Sequence, residues 1–129
     1  MPLRITLVSP FDPQPAAVQA GSAHVGGVER VFAEIARRLA ARGHEVTLIC
    51  STMGRPGRSR EAGMTVIRRS CRLTILRAPV CRLSRHIPRN SDVVQVAATY
   101  PFTTASCLRR AKELGIPAVL DFHFEPSPP

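Results

Sequence analysis

At 129 residues, 44% hydrophobic and 21% charged, the chain has the size and composition of one soluble globular domain, too short for two full Rossmann-type lobes and too apolar for disorder. No stretch is long or apolar enough to span a bilayer, and the opening strand with its charged flank does not read as a secretory leader, so a cytoplasmic location is expected, with peripheral attachment at the membrane inner face as a variant. The net charge of +9 asks for an anionic partner, an anionic membrane surface or a phosphorylated acceptor; nucleic acid ranks last, because aromatic residues are few and no basic helix interleaves with them as a stacking platform.

Leu3 to Ser9, with Ile5, Leu7 and Val8, reads as a short buried parallel strand. The segment from Pro10 to Val25 reads as a long loop, because Pro10, Pro13 and Pro15 obstruct both ladder and helix hydrogen bonding. Gly26 and Gly27 then open a helix running to about Arg42, on which Val28, Val31, Phe32, Ile35, Ala36 and Leu39 recur at helical spacing. Glu29, Arg30, Glu34, Arg37 and Arg38 fall on its outer side, Glu34 and Arg38 in the favourable order four apart, and Gly43 is placed to end it. His44 is expected to cap or decorate that end, where a cation is favoured.

Glu45 to Ser51 is the second predicted strand, the breakers from Gly54 to Arg58 a loop, and Met64 to Arg68 the third strand. From Arg69 to Asn90 the pattern is weakest; Pro79 is placed to open a short helix with Val80, Leu83 and Ile87 facing inward. Asp92 to Val96 is the fourth strand, Pro101 to Leu114 a helix ended by Gly115, and Ile116 to Phe122 the fifth strand. The order predicts an α/β fold, a Rossmann-like parallel sheet with helices on both faces, forming a single truncated lobe over residues 1–129. It stops where such a lobe would still take one or two more units.

A strand, a loop and a glycine pair before a helix make a plausible ligand site. Without Cβ atoms the glycines let a phosphate or sugar approach the backbone, where unpaired helix N–H groups and the positive dipole end face it. Ten arginines and one acid, Glu61, lie between Arg55 and Arg89, a density suited to anionic lipid or simply to solubility. Cys50, Cys71, Cys81 and Cys107 form no Cys-x-x-Cys pair and no histidine stands at metal-finger spacing, so reduced thiols and no metal are expected.

Gly26-Gly27-Val28-Glu29-Arg30, the run from Leu39 through Gly43-His44-Glu45-Val46, Asp92-Val93-Val94, Tyr100-Pro101 and Phe122-His123 together resemble the N-terminal half of glycosyltransferase family 4, retaining enzymes of the two-lobed B fold. The resemblance implies an acceptor-binding lobe, with the lobe that binds the nucleotide-sugar donor absent from this chain. It implies that Gly26 and Gly27 lie beside donor phosphates and the acceptor hydroxyl when the lobes close, with Tyr100 on the same acceptor or phosphate side. His123 corresponds to a family histidine near the transferred sugar, able to hydrogen-bond or polarise a hydroxyl. Where the family commonly carries histidines after Asp-Val-Val, this sequence has Gln95 and Ala97.

Two functions follow as expectations. In the first, the chain helps transfer a sugar from a nucleotide donor, a substrate rather than a cofactor, to a sugar or lipid-linked acceptor, and is inactive without a donor-lobe polypeptide. In the second, it is a non-catalytic module whose basic face holds an anionic membrane or a partner protein. An unpaired parallel sheet edge would also favour a homodimer. Asp12, His24 and Glu125 are spare polar groups whose roles depend on where the fold places them. A nicotinamide-binding reading fails, because the glycine pair lacks the third glycine of that fingerprint and follows too long a loop.

Overall fold

The computed structural model describes residues 2–11, 27–52, 54–71, 74–75, 78–79, 81–98 and 101–121. Strand β1 (Arg4–Phe11) leads to helix α1 (Gly27–Ala41), strand β2 (Glu45–Thr52) and the hairpin β3 (Gly57–Glu61) and β4 (Met64–Ser70). Two-residue strands β5 (Thr74–Ile75) and β6 (Ala78–Pro79) follow, then a 3-10 turn η1 (Leu83–His86), strand β7 (Val93–Ala97), helix α2 (Pro101–Leu114) and strand β8 (Ala118–Asp121). Six strands form one sheet in the order β3-β4-β2-β1-β7-β8, parallel throughout except for β3.

The central strands read as continuous apolar runs because both of their faces are covered. Ile5, Leu7, Val46, Leu48 and Val66 pack under Phe32 and Ala36 of α1, while Val8, Ile49, Val94 and Val96 turn to the opposite face against Leu83, Ile87, Cys107 and Ala111 of η1 and α2. The result is the expected Rossmann-like α/β sheet with helices on both faces. Both helices end as the glycines predict. Gly43 (φ +94°) and Gly115 (φ +69°) take left-handed backbone, and His44 N–H and Ile116 N–H reach back to the carbonyls of Leu39 and Ala111 at 3.2 and 2.8 Å.

Several details depart from the sequence reading. β1 continues through Pro10 to Phe11, because the pairing with β2 shifts register between Ser9 and Phe11 and the proline, which has no N–H to donate, falls in the irregularity. The Ser51 hydroxyl donates to the Pro10 carbonyl, and the Ser9 hydroxyl to that of Phe11 at 2.9 Å.

The antiparallel edge strand β3, Gly57 to Glu61, begins inside the stretch from Gly54 to Arg58 that reads as loop; its turn, Ala62-Gly63, has φ of +49° and +79°, the double-positive geometry of a tight hairpin. Pro79 pairs in β6 with Thr74 rather than opening a helix, and the short helix is η1; Leu83 and Ile87 are buried as expected. Val31 is 41% exposed, so the buried stripe of α1 runs through Phe32, Ala33 and Ala36 instead. His44 caps the helix end through its backbone N–H, while its side chain turns to β1, Nδ1 accepting from the Leu3 N–H at 3.0 Å.

Candidate functional site

The strand order locates the crevice. From β1 the chain moves to β2 and β4 on one side, then crosses to β7 and β8 on the other, so the direction of winding reverses between β1 and β7. Open α/β sheets bind ligands outside the carboxyl ends of the strands at such a point.

Helix α1 is tied to this rim from its far end. Its C-terminal cap sits at the start of β1, where Leu3 N–H meets His44 and Glu45 N–H meets the Leu3 carbonyl at 2.9 Å. A 15-residue helix spans about 22 Å, so Gly27 stands at the carboxyl rim, where the N–H groups of the first turn have no partner within the helix. β8 ends on that rim at Asp121 and α2 begins there at Pro101. Of the sequence-predicted site residues, only Gly27 is among the described residues; Gly26, Tyr100 and His123 lie outside them, as do Asp12, His24 and Glu125. The described residues nearest in sequence to the first three, Gly27, Pro101 and Asp121, all belong to the same rim.

Hydroxyls, amides and one carboxylate line the described part of the rim. Ser9, Ser51 and Thr52 are buried at the ends of β1 and β2. Thr104 Oγ1 donates to the Ala97 carbonyl at 2.8 Å, anchoring the first turn of α2 to the end of β7. Thr103 is 1% exposed, and its Oγ1 has no partner among the described residues.

Across β7 and β8, Gln95 Nε2 donates to Asp121 Oδ2, and Ala98 N–H to the Asp121 carbonyl at 2.9 Å. Sequence reasoning passed over Asp121 in favour of Asp12 and Glu125 and read Gln95 only as a departure from histidine. Asp121 ends its strand, whereas Gln95 is the middle residue of β7 and reaches it only because β7 and β8 are neighbours, which sequence spacing does not show. Chemically, the rim is suited to holding hydroxyl and phosphate groups.

The amino ends of the strands hold the framework together. Asp92 Oδ2 accepts from Arg4 N–H at 2.7 Å while Asp92 N–H donates to the Arg4 carbonyl. Thr6 and Ser91 share a buried hydroxyl bond of 2.7 Å. The first position of the Asp-Val-Val motif is thus a clasp between β1 and β7, far from the ligand rim.

Burial pushes the Cys107 thiol up to about 12, and burial together with the neighbouring Cys71 does the same for Cys81, so neither supplies a thiolate nucleophile at neutral pH. Among the described residues no three His, Cys, Asp or Glu side chains converge as metal ligands, and no helix is long and apolar enough to cross a membrane.

The described arginines of the run do not form one continuous face. Arg68 on β4 is a partner of Glu61 on β3, with Nη2 to Oε1 at 3.0 Å, and Arg60 reaches Thr65 at 3.1 Å. Arg82 and Arg85 lie instead against α2, together with Arg109 and Arg110 from outside the run.

A family model described as Glycosyltransferase Family 4 matches residues 25–128. Comparison with curated proteins and with solved structures gave no match.

Proposed function

Since the chain belongs to glycosyltransferase family 4, we propose that it is the acceptor-side lobe of a retaining enzyme that moves a sugar from a nucleotide-sugar donor to an acceptor hydroxyl. The supporting observation is the single carboxyl rim at the β1/β7 reversal, on which Gly27 opens α1 and β8 ends at Asp121. In this reading Gly26 and Gly27 offer backbone N–H groups to a donor phosphate or acceptor oxygen, and Tyr100 flanks the acceptor. His123 hydrogen-bonds the transferred sugar, and the acceptor is a sugar or a lipid-linked glycan. The protein works at the cytoplasmic side, its cations drawn to anionic headgroups.

Retaining transfer needs donor and acceptor aligned within about 3–3.5 Å and water excluded by closure of the cleft. One wall of a cleft does neither. The isolated chain therefore binds acceptor and does not turn over, and activity returns when a polypeptide carrying a donor lobe closes on the rim.

Transfer from labelled nucleotide sugars to a panel of glycan and lipid-linked acceptors, with acceptor binding followed in parallel, tests this. The expected result is acceptor binding with no transfer by the chain alone. Clear turnover without a partner contradicts the half-cleft reading. Vesicle binding with no acceptor affinity would favour the alternative, a binding module that uses the +9 charge without catalysis.

A further inference from the structure

Some of the described arginines are matched by carboxylates. Arg4 pairs with Glu45, Arg37 and Arg38 with Glu34, and Arg68 with Glu61. Four others converge in one place. Between η1 and α2 lies a groove of about 470 Å³ walled by Arg82 and Arg85 on one side and Arg109 and Arg110 on the other.

Glu113 is the only carboxylate among the described residues of its wall, and it meets Arg110 at a loose 3.5 Å. Arg82, Arg85 and Arg109 have no carboxylate partner among the described residues, and Arg110 Nε is buried without one. Cations gathered in this way repel one another unless an anion joins them.

The groove is built in. Leu83 and Ile87 pack inward against Cys107 and Ala111, which fixes the neighbouring arginines of η1 and α2 in relation to each other. Ser84 and Ser106 are the small residues between them and leave the space open. On α2 the wall runs Phe102, Ser106, Arg109, Glu113, one stripe of the helix, ending at Phe102, which is 43% exposed. His86, on η1, is held below its ordinary imidazole value by burial and then by Arg69 and Arg85, consistent with a positive field on this face.

The geometry points to a binding site for a phosphate ester or diphosphate, its oxygens held by the paired guanidinium groups and its apolar or ring portion laid on Phe102. Guanidinium forks match phosphate oxygens two at a time, and the volume suits a small organic phosphate. The ligand is either a soluble phosphate ester or the headgroup of an anionic lipid. The site uses none of the rim hydroxyls and shares with the rim only the first turn of α2, at Phe102, so its arginines are tested apart from the glycosyltransferase reading.

Calorimetric titration of the 129-residue chain with pyrophosphate, at fixed ionic strength, tests the site; co-sedimentation with phosphatidylcholine vesicles containing phosphatidylglycerol tests the source. The groove variant is Arg82→Gln/Arg109→Gln. Arg55→Gln/Arg58→Gln, at exposed positions beside the opposite sheet edge, removes the same charge. The groove variant is expected to weaken pyrophosphate binding at least about tenfold and the control no more than about twofold.

Pyrophosphate binding without vesicle binding identifies a soluble ester. Vesicle binding that pyrophosphate displaces, with the same dependence on the groove arginines, identifies a headgroup. Equal weakening by both double variants, or no saturable binding of either probe, overturns the assignment.

Discussion

Glu61 faces Arg68 across the β3–β4 hairpin in a bidentate pair whose side chains are 32% and 16% exposed. The hydrogen bond from Arg68, assisted by Ser59, holds its carboxyl below the usual carboxylate range. A depressed carboxylate stabilises the fold above its unfolded value of about 4.5 and loses that contribution as pH falls through its lower folded value.

Glu61→Gln should therefore cost about 0.5–1 kcal/mol at pH 7, as a partly screened pair, and the difference from the wild type should shrink as pH falls below 4.5 in urea unfolding followed against pH. His86 works in the same direction in another window: its folded imidazole is depressed, so stability already falls as pH drops through about 6.5. At this scale the sequence was legible where partners are close along the chain. Glu34 and Arg38, four apart, meet at 2.9 Å as expected. The Glu61–Arg68 pair was hidden, because it depends on a hairpin the sequence did not announce.

That hairpin shows why elements were read unevenly. β1, β2, β7 and both helices carry apolar spacing strong enough to set their type, and Gly43 and Gly115 mark the helix ends through backbone that other residues adopt with strain. β3, Gly-Arg-Ser-Arg-Glu, has no apolar alternation, since it lies at an edge where charged residues guard against further pairing, and Ala62-Gly63 is a weak hairpin signal beside Asn-Gly.

Asp92 is the converse case, a motif residue whose place was legible and whose role was not. Its carboxylate clasps β1 to β7 through the Arg4 N–H, so Asp92→Ala should lower unfolding free energy by about 1–2 kcal/mol. The denaturant slope and acceptor binding should stay unchanged. A variant of wild-type stability that fails to bind acceptor would instead give Asp92 a part in the site.

For the molecule as a whole, the alternation of strands and helices carried the fold class, and the resemblance carried the family. Neither could reveal the order β3-β4-β2-β1-β7-β8, which depends on the long crossover from β4 to β7. It is this order that reverses the winding beside β1 and sets Gly27, the first turn of α2 and Asp121 along one rim. Asp121 and Gln95 became visible as a pair only once β7 and β8 were adjacent.

Backbone amide NMR of the chain titrated with mono- and disaccharide acceptors bears on this rim most directly. Shifts gathered at Ser9, Phe11, Gly27, Ala98 and Asp121 are the predicted result. Shifts gathered at Arg4, Glu45, Asp92 and Ala118, at the amino ends of the strands, would contradict it.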